Sequence, residues 1–309
     1  MLPRDRVLAI TVAVAWGVNF IATSFALEQF PPLFMVVLRY ALLAIPTMLF
    51  IPRPKVQLRW LIVTGLGIGA LQFAFLYLGL AAGMPVGLAS IVIQASAPFT
   101  VVIAAVVLKE RLSGRQLIGI SVAVAALAVI AVHRAQVAAL LPVLLVLAAG
   151  LGWAIGNIGS RKALAPNALH FTLWVSVVPP LPLLGLSLIV EGPQAIGNSL
   201  STLATPEALP AVLGLLYVVL ISTVVGYGIW SRLMSRYPSS TVAPFSMLVP
   251  PVGVAAAWLV FGEVPDLVEL IAGAVVILSV LFASGLGKKR RRALVEAPIE
   301  SLSQGVVLR

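Results

Sequence analysis

The sequence predicts an all-α membrane protein of ten transmembrane helices, arranged as two inverted five-helix repeats with both termini in the cytoplasm. Scarce charge, an internal repeat at a fixed offset and a one-sided distribution of basic residues predict it. Of the 309 residues, 61% are hydrophobic and only 10% charged, whereas soluble domains carry about a quarter charged. The stretch from Pro85 to Glu110 holds no charge before Lys109, long enough for one helix to cross a bilayer. It starts on Pro85, has Pro98 near its middle and ends on Glu110. Pro238, Pro251 and Glu263 repeat those marks, each 153 residues later. Three matches at one offset, even among 22 prolines, indicate an internal duplication.

Hydropathy places the spans at 7–27, 32–51, 60–82, 86–108, 117–132, 139–160, 171–190, 209–231, 239–261 and 267–286. At about 1.5 Å per residue each is commensurate with a bilayer core. Arg4 and Arg6 precede the first span, but its apolar run is too long for a signal peptide and no small-residue cleavage site follows. It is therefore a retained helix. The fifth span is the shortest. Orientation follows from the loops: with the N-terminus inside, eighteen of twenty Lys and Arg fall in cytoplasmic segments. Arg134 alone lies opposite, and Arg39 lies within a span. Five helices per half is odd, so the second half enters from the other side. That is the plan of secondary transporters that hold substrate near the midplane, between repeats. The first repeat is 1–132, a linker covers 133–138, and the second repeat is 139–286. The tail, 287–309, is expected to be disordered, its KKRRR cluster lying on anionic lipid headgroups. The connection Glu191–Ala208 has no Lys or Arg and is expected in the periplasm.

The net charge of +10 does not imply a nucleic-acid partner, because the basic residues are spread over short loops and the tail. The chain has no cysteine, which excludes disulfides, thiol catalysis and thiolate metal sites.

Candidate site residues are the polar and aromatic groups inside spans. Trp16 and Asn19 in WGVNF pair with Trp153 and Asn157 in WAIGN, and at the offset of 153 Tyr77 falls on Trp230. Asn19, Gln72, Gln94 and Asn157 are amides deep in apolar spans, where polar groups face the bundle interior. Ser90, Gln94 and Pro98 share one helix face, as do Trp16, Asn19 and Thr23. Such a set either holds a zwitterion by hydrogen bonds or bonds neighbouring helices. Tyr77, Tyr227 and Trp230 line a cavity or an interfacial belt, the role expected of Trp60 and Trp258; the glycines of VGYGIW favour the cavity. Pro98 and Pro251 deprive the Gln94 and Met247 carbonyls of helical partners. In lipid this is tolerated facing protein or a water-filled cavity, so the prolines are paired flex points or packing kinks. Arg39 either receives a substrate carboxylate or pairs structurally. All ten acidic residues lie in loops, tails or helix ends, so no midplane carboxylate is available as a proton or sodium carrier. His133 and His170 lie near span ends, and neither a metal nor a cofactor is expected.

The stretches WGVNF, RPKV, QFAFL, GMPVGLASIVIQ, KERLSGRQLIGI, VGYGIW and VAPFSMLVPPVG, from Trp16 to Gly253, resemble the EamA-type branch of the drug/metabolite transporter superfamily. Within it the resemblance is greatest to bacterial exporters of cysteine and O-acetylserine. It covers nearly everything but the tail. It implies an inner-membrane exporter of small metabolites, cysteine, O-acetylserine or related amino acids, working by alternating access at a midplane cavity. Glu263 departs from the pattern in being followed by Val-Pro rather than Arg-Leu, and Gly273 comes one residue later than Gly119 does in the first repeat. Other solutes of the superfamily, a drug, an aromatic amino acid or a phosphorylated metabolite, stay open. A phosphorylated solute calls for several interior cations where Arg39 stands alone. A membrane-embedded enzyme needs an activated nucleophile with a base or a metal, and these residues offer neither.

Overall fold

The computed structural model describes residues 1–109, 111–137, 139–237 and 242–283. Among them every regular element is helical. Eight helices are long and apolar enough to cross a bilayer: α1 Pro3–Gln29, α2 Pro32–Phe50, α3 Leu58–Ala81, α4 Val86–Val107, α5 Gly114–Val137, α6 Leu141–Ala163, α7 Ala168–Val190 and α8 Pro206–Met234. Two shorter apolar helices follow, α9 Phe245–Phe261 and α10 Leu267–Ala283. Each coincides with one expected span. The chain is a multi-pass membrane protein, and its outer surface suits lipid: Phe50 and Ile189 are 78% and 83% exposed.

One expectation is corrected. The fifth helix is not the shortest; it has 24 residues. It starts early because Ser113 and Gln116 form a reciprocal capping box: Gln116 Oε1 accepts from the Ser113 N–H at 2.9 Å, and Ser113 Oγ accepts from the Gln116 N–H at 3.3 Å. The helix also continues through 133–137, within the expected linker 133–138, since no glycine or proline interrupts it there. Glu110, Pro238 and the tail 287–309 lie outside the described residues.

The repeat is written in the packing. Helix α1 packs on α8 and α9, as α6 packs on α3 and α4; α2 meets α7, α4 meets α9, and α5 meets α10. Backbone irregularities obey it too. A π-helical turn, Gly65–Leu71, sits inside α3, and its equivalent in α8 is the π turn Tyr217–Val225. A 3₁₀ turn, Ile93–Ala95, interrupts α4, and shifted by 153 it falls inside the 3₁₀ turn Ala243–Leu248 that opens α9. Where α3 crosses α6, Gly67 faces Gly152 and Gly156 so closely that a Cβ on Gly67 would land on the Gly156 backbone. Small residues let helices approach this way in membranes.

Buried apolar packing is concentrated at one end. The main core draws on Phe20–Ala26 of α1 and Phe30 just after it, Leu33–Leu43 of α2, Ala70–Met84, Val86–Ala95 and Val143–Ala149, all at the end where α1 leads into α2. The opposite end has two separate small clusters, one around Leu61, Ala163, Phe171 and Val175, the other around Ala9, Leu233 and Val242. Two carboxylates also close the packed end. Glu191, just after α7, accepts from the Leu33 and Phe34 N–H groups of α2 at 2.7 and 3.0 Å. Gly262 ends α9 at φ 66°, and the next residue, Glu263, accepts from the Val86 and Gly87 N–H groups of α4, both at 3.0 Å. Each satisfies orphan donors at a helix N-terminus, where negative charge is favourable.

Candidate functional site

A cavity of about 420 Å³ begins where the main core ends and is walled by α1, α2, α3, α4, α6, α8 and α9. Both repeats therefore supply its lining. The clearest sign of the repeat axis is Gln94 Nε2 donating to Met247 Sδ at 3.5 Å, two residues related by the offset of 153. Both sit in the 3₁₀ turns that precede Pro98 and Pro251. Those turns re-aim the two side chains inward.

On α1, the Trp16 indole N–H donates to the Ser222 carbonyl at 3.0 Å, within the π turn of α8. Its ring stands 5.3 Å from Tyr227 and 5.1 Å from Trp230. Gly226 makes room for it, because a Cβ there would lie 2.8 Å from Trp16 Nε1. Across the cavity Asn157 Nδ2 donates to Thr100 Oγ1 at 3.1 Å, and Thr100 is itself bonded to the Ser96 carbonyl.

Arg39 is only 2% exposed. Its Nη1 donates to Tyr77 Oη at 2.8 Å and its Nη2 to Thr223 Oγ1 at 3.1 Å, while the guanidinium lies 3.8 Å from the centre of the Phe73 ring. Thr223 in turn donates to the Val218 carbonyl five residues back, a bond the π turn allows. Among the described residues Arg39 forms no ion pair. It lies in the wall between the central cavity and a second one of about 170 Å³, which shares Trp153, Asn157 and Tyr227.

Eight of the residues singled out in the sequence line the central cavity: Trp16, Asn19, Arg39, Gln72, Gln94, Trp153, Asn157 and Tyr227. Tyr77, Ser90 and Trp230 do not. Tyr77 is fully buried behind Arg39, and Trp230 supports the Trp16 ring. Ser90 donates to the Gly87 carbonyl at 2.6 Å and packs where a Cβ on Gly253 would touch it, in the α4–α9 seam. Pro98 and Pro251 follow the 3₁₀ turns without lining the cavity; Pro251 faces an apolar groove between α4, α9 and α10. Sequence inspection missed Phe73, Thr100 and Thr223. Phe73 adjoins Gln72 in QFAFL, but nothing local marks Thr223 as a partner of Arg39. Trp60 stacks with Arg59 and Lys162, and Trp258 is 56% exposed. His133 Nε2 lies 3.5 Å from Asp266 Oδ1. Among the described residues no three His, Cys, Asp or Glu side chains come together as a metal site.

The model of the EamA-like transporter family matches residues 6–132 and 140–285, one match per repeat. The chain belongs to the EamA-like transporter family. The gap between the two matches covers the end of α5 and the connection to α6. This EamA-like chain is 39% identical over 300 residues to the "Probable amino-acid metabolite efflux pump" of Escherichia coli (strain K12), covering 95% of this chain and 99% of that one. It is 41% identical over 298 residues to the protein of the same name from Salmonella typhimurium, covering 94% and 98%. The "Probable terminal-alkyne amino-acid exporter" of Streptantibioticus cattleyicolor is 29% identical over 213 residues, covering 68% and 67%. A solved structure described only as "Crystal structure of protein" superposes with a TM-score of 0.57 at 17% identity, covering 94% of this chain and all of that one. It supports the fold.

Proposed function

We propose that this EamA-like transporter exports amino acids and related metabolites, cysteine and O-acetylserine among them, across the bacterial inner membrane. The single observation that carries this is the central cavity built jointly by both repeats, with Gln94 meeting Met247 across the repeat axis. A site at that interface is where alternating access needs it. The names of the near-full-length relatives supply the substrate class.

All ten apolar helices cross the membrane, both termini are cytoplasmic, and the repeats are inverted; the basic loops support this arrangement. The packed end, with Glu191 and Glu263, then faces the periplasm, and substrate enters from the cytoplasm between the two small clusters. The eight cavity-lining residues named above contact it. Pro98 and Pro251 act as flex points where each broken helix changes direction. The repeats extend over 1–132 and 139–286, and the basic tail rests on anionic headgroups.

The test is counterflow in proteoliposomes against a panel of labelled amino acids, with and without a proton gradient. Exchange of at least one amino acid is expected. Exchange of none, by protein that is folded and correctly inserted, would end the proposal. With the described acidic residues at helix ends, export is expected to follow the substrate gradient in the absence of a proton gradient.

A further inference from the structure

A buried polar atom without a partner is costly in a membrane interior. Three such atoms belong to side chains in the wall of the central cavity: Asn19 Oδ1, Gln72 Oε1 and Arg39 Nε. They come from three helices, α1, α3 and α2, and they are chemically complementary to one kind of ligand. Arg39 is a permanent cation whose surroundings are a phenol, a hydroxyl and an aromatic ring, with no ion pair among the described residues. What it lacks is an anion able to accept from the fork of a guanidinium. The two amide oxygens are acceptors, and what they lack is a donor with several N–H groups.

We infer that the cavity recognises the zwitterionic backbone of an α-amino acid. Arg39 takes the carboxylate, and the Asn19 and Gln72 carbonyl oxygens take the α-ammonium. The rings of Trp16 and Tyr227 remain for the side chain, which is how one site accepts several amino acids. This deepens the proposed function and rests on it. Tyr77 and Thr223 are positioning residues: they fix the guanidinium through its two terminal nitrogens and leave Nε and the remaining N–H groups to the ligand. Small rotations of the three side chains bring the orphaned atoms to the cavity surface. An amine without the carboxylate leaves Arg39 uncompensated and adds a second positive charge. An acid without the ammonium leaves both acceptors orphaned.

The test is thermal unfolding of the purified full-length protein, titrated with the proteinogenic L-amino acids and O-acetyl-L-serine. Each stabilising amino acid is compared with its decarboxylated amine and its N-acetyl derivative. At least one amino acid should stabilise, with both truncated analogues half-saturating at about tenfold higher concentration or more, the loss of one charge-assisted contact. Arg39→Gln should weaken the amino acid by a similar factor and leave the amine bound no more weakly, so that discrimination disappears. Should Arg39→Gln fail to fold, Tyr77→Phe keeps the charge but loosens its placement, and should reduce the discrimination several-fold. Equal binding of the amine or the N-acetyl derivative to the wild type would overturn the inference; amino-acid counterflow would then still uphold the proposed function. Stabilisation by none of the amino acids would overturn it too, and together with absent counterflow would remove the proposed function as well.

Discussion

At the end where α1 leads into α2, buried side chains from all ten helices join one core, and two carboxylates reach from the second repeat to cap helices of the first. At the opposite end only α1, α3, α6, α7, α8 and α9 meet, in two small, separate clusters, and one link there is Tyr237 donating to the buried Asp5. Those six helices also enter the main core, so helix propensity does not explain the difference. Lipid tails are as apolar as the side chains, so helices in a membrane are held by close packing and polar contacts rather than by exclusion of water. An end with fewer of both separates more readily. On the proposed function the packed end is the closed gate and the other end the one that parts, with the cavity between them.

The largest effect is expected at the seam that both ends share. Gly156 packs against the α3 backbone, where a Cβ would lie 2.6 Å from the Ile68 nitrogen. Gly156→Leu should destabilise by more than about 4 kcal/mol, since backbone cannot yield as a flexible side chain does. Size-exclusion profiles in detergent should show loss of the folded peak. A normal profile would mean that α3 and α6 are not held this closely.

The carboxylate caps come next. Glu191→Gln combined with Glu263→Gln replaces charged caps by neutral ones, and should favour opening of the packed end by about 1–2 kcal/mol, or roughly tenfold in population. A single cysteine in place of Thr100, in this cysteine-free chain, reports it. Its reaction with an impermeant thiol reagent from the packed-end side should speed up about tenfold. An unchanged rate would reduce both glutamates to helix-end stabilisers.

A smaller effect is expected of the prolines, at the junction between the two ends. Pro98→Ala and Pro251→Ala should each slow counterflow about threefold while folded yield stays near wild type, since a straightened helix loses its flex point. A parallel fall in yield and rate would assign the prolines to packing alone.

Much of this was legible in the sequence. Ten apolar segments and the 153-residue offset are properties of residue type and spacing, and the structure carries the offset into its π and 3₁₀ turns. Gln94 and Asn157 could be chosen because a polar amide inside an apolar helix has few tolerable places. What could not be read depends on contacts between distant segments. Tyr77 and Ser90 lie on polar-bearing stretches like the others, yet one turns behind Arg39 and the other into the α4–α9 seam. The reach of Glu191 to α2, and of Glu263 to α4, spans more than 150 residues of chain. The π turns have no local signature beyond the run Gly65, Gly67, Gly69 in α3, and α8 has a π turn without it. Ser113 and Gln116 did carry a legible signal, the capping box, which hydropathy alone overlooked.

The most direct test of the central claim uses Thr100→Cys without further changes, probed with a small impermeant thiol reagent in inside-out and right-side-out membrane vesicles. Thr100 lines the cavity. The account predicts rapid modification from the cytoplasmic face, at least about tenfold slower modification from the periplasmic face, and protection by an exported amino acid bound in the site. Modification at equal rates from both faces, or faster from the periplasmic face, with no protection by any amino acid, would contradict it.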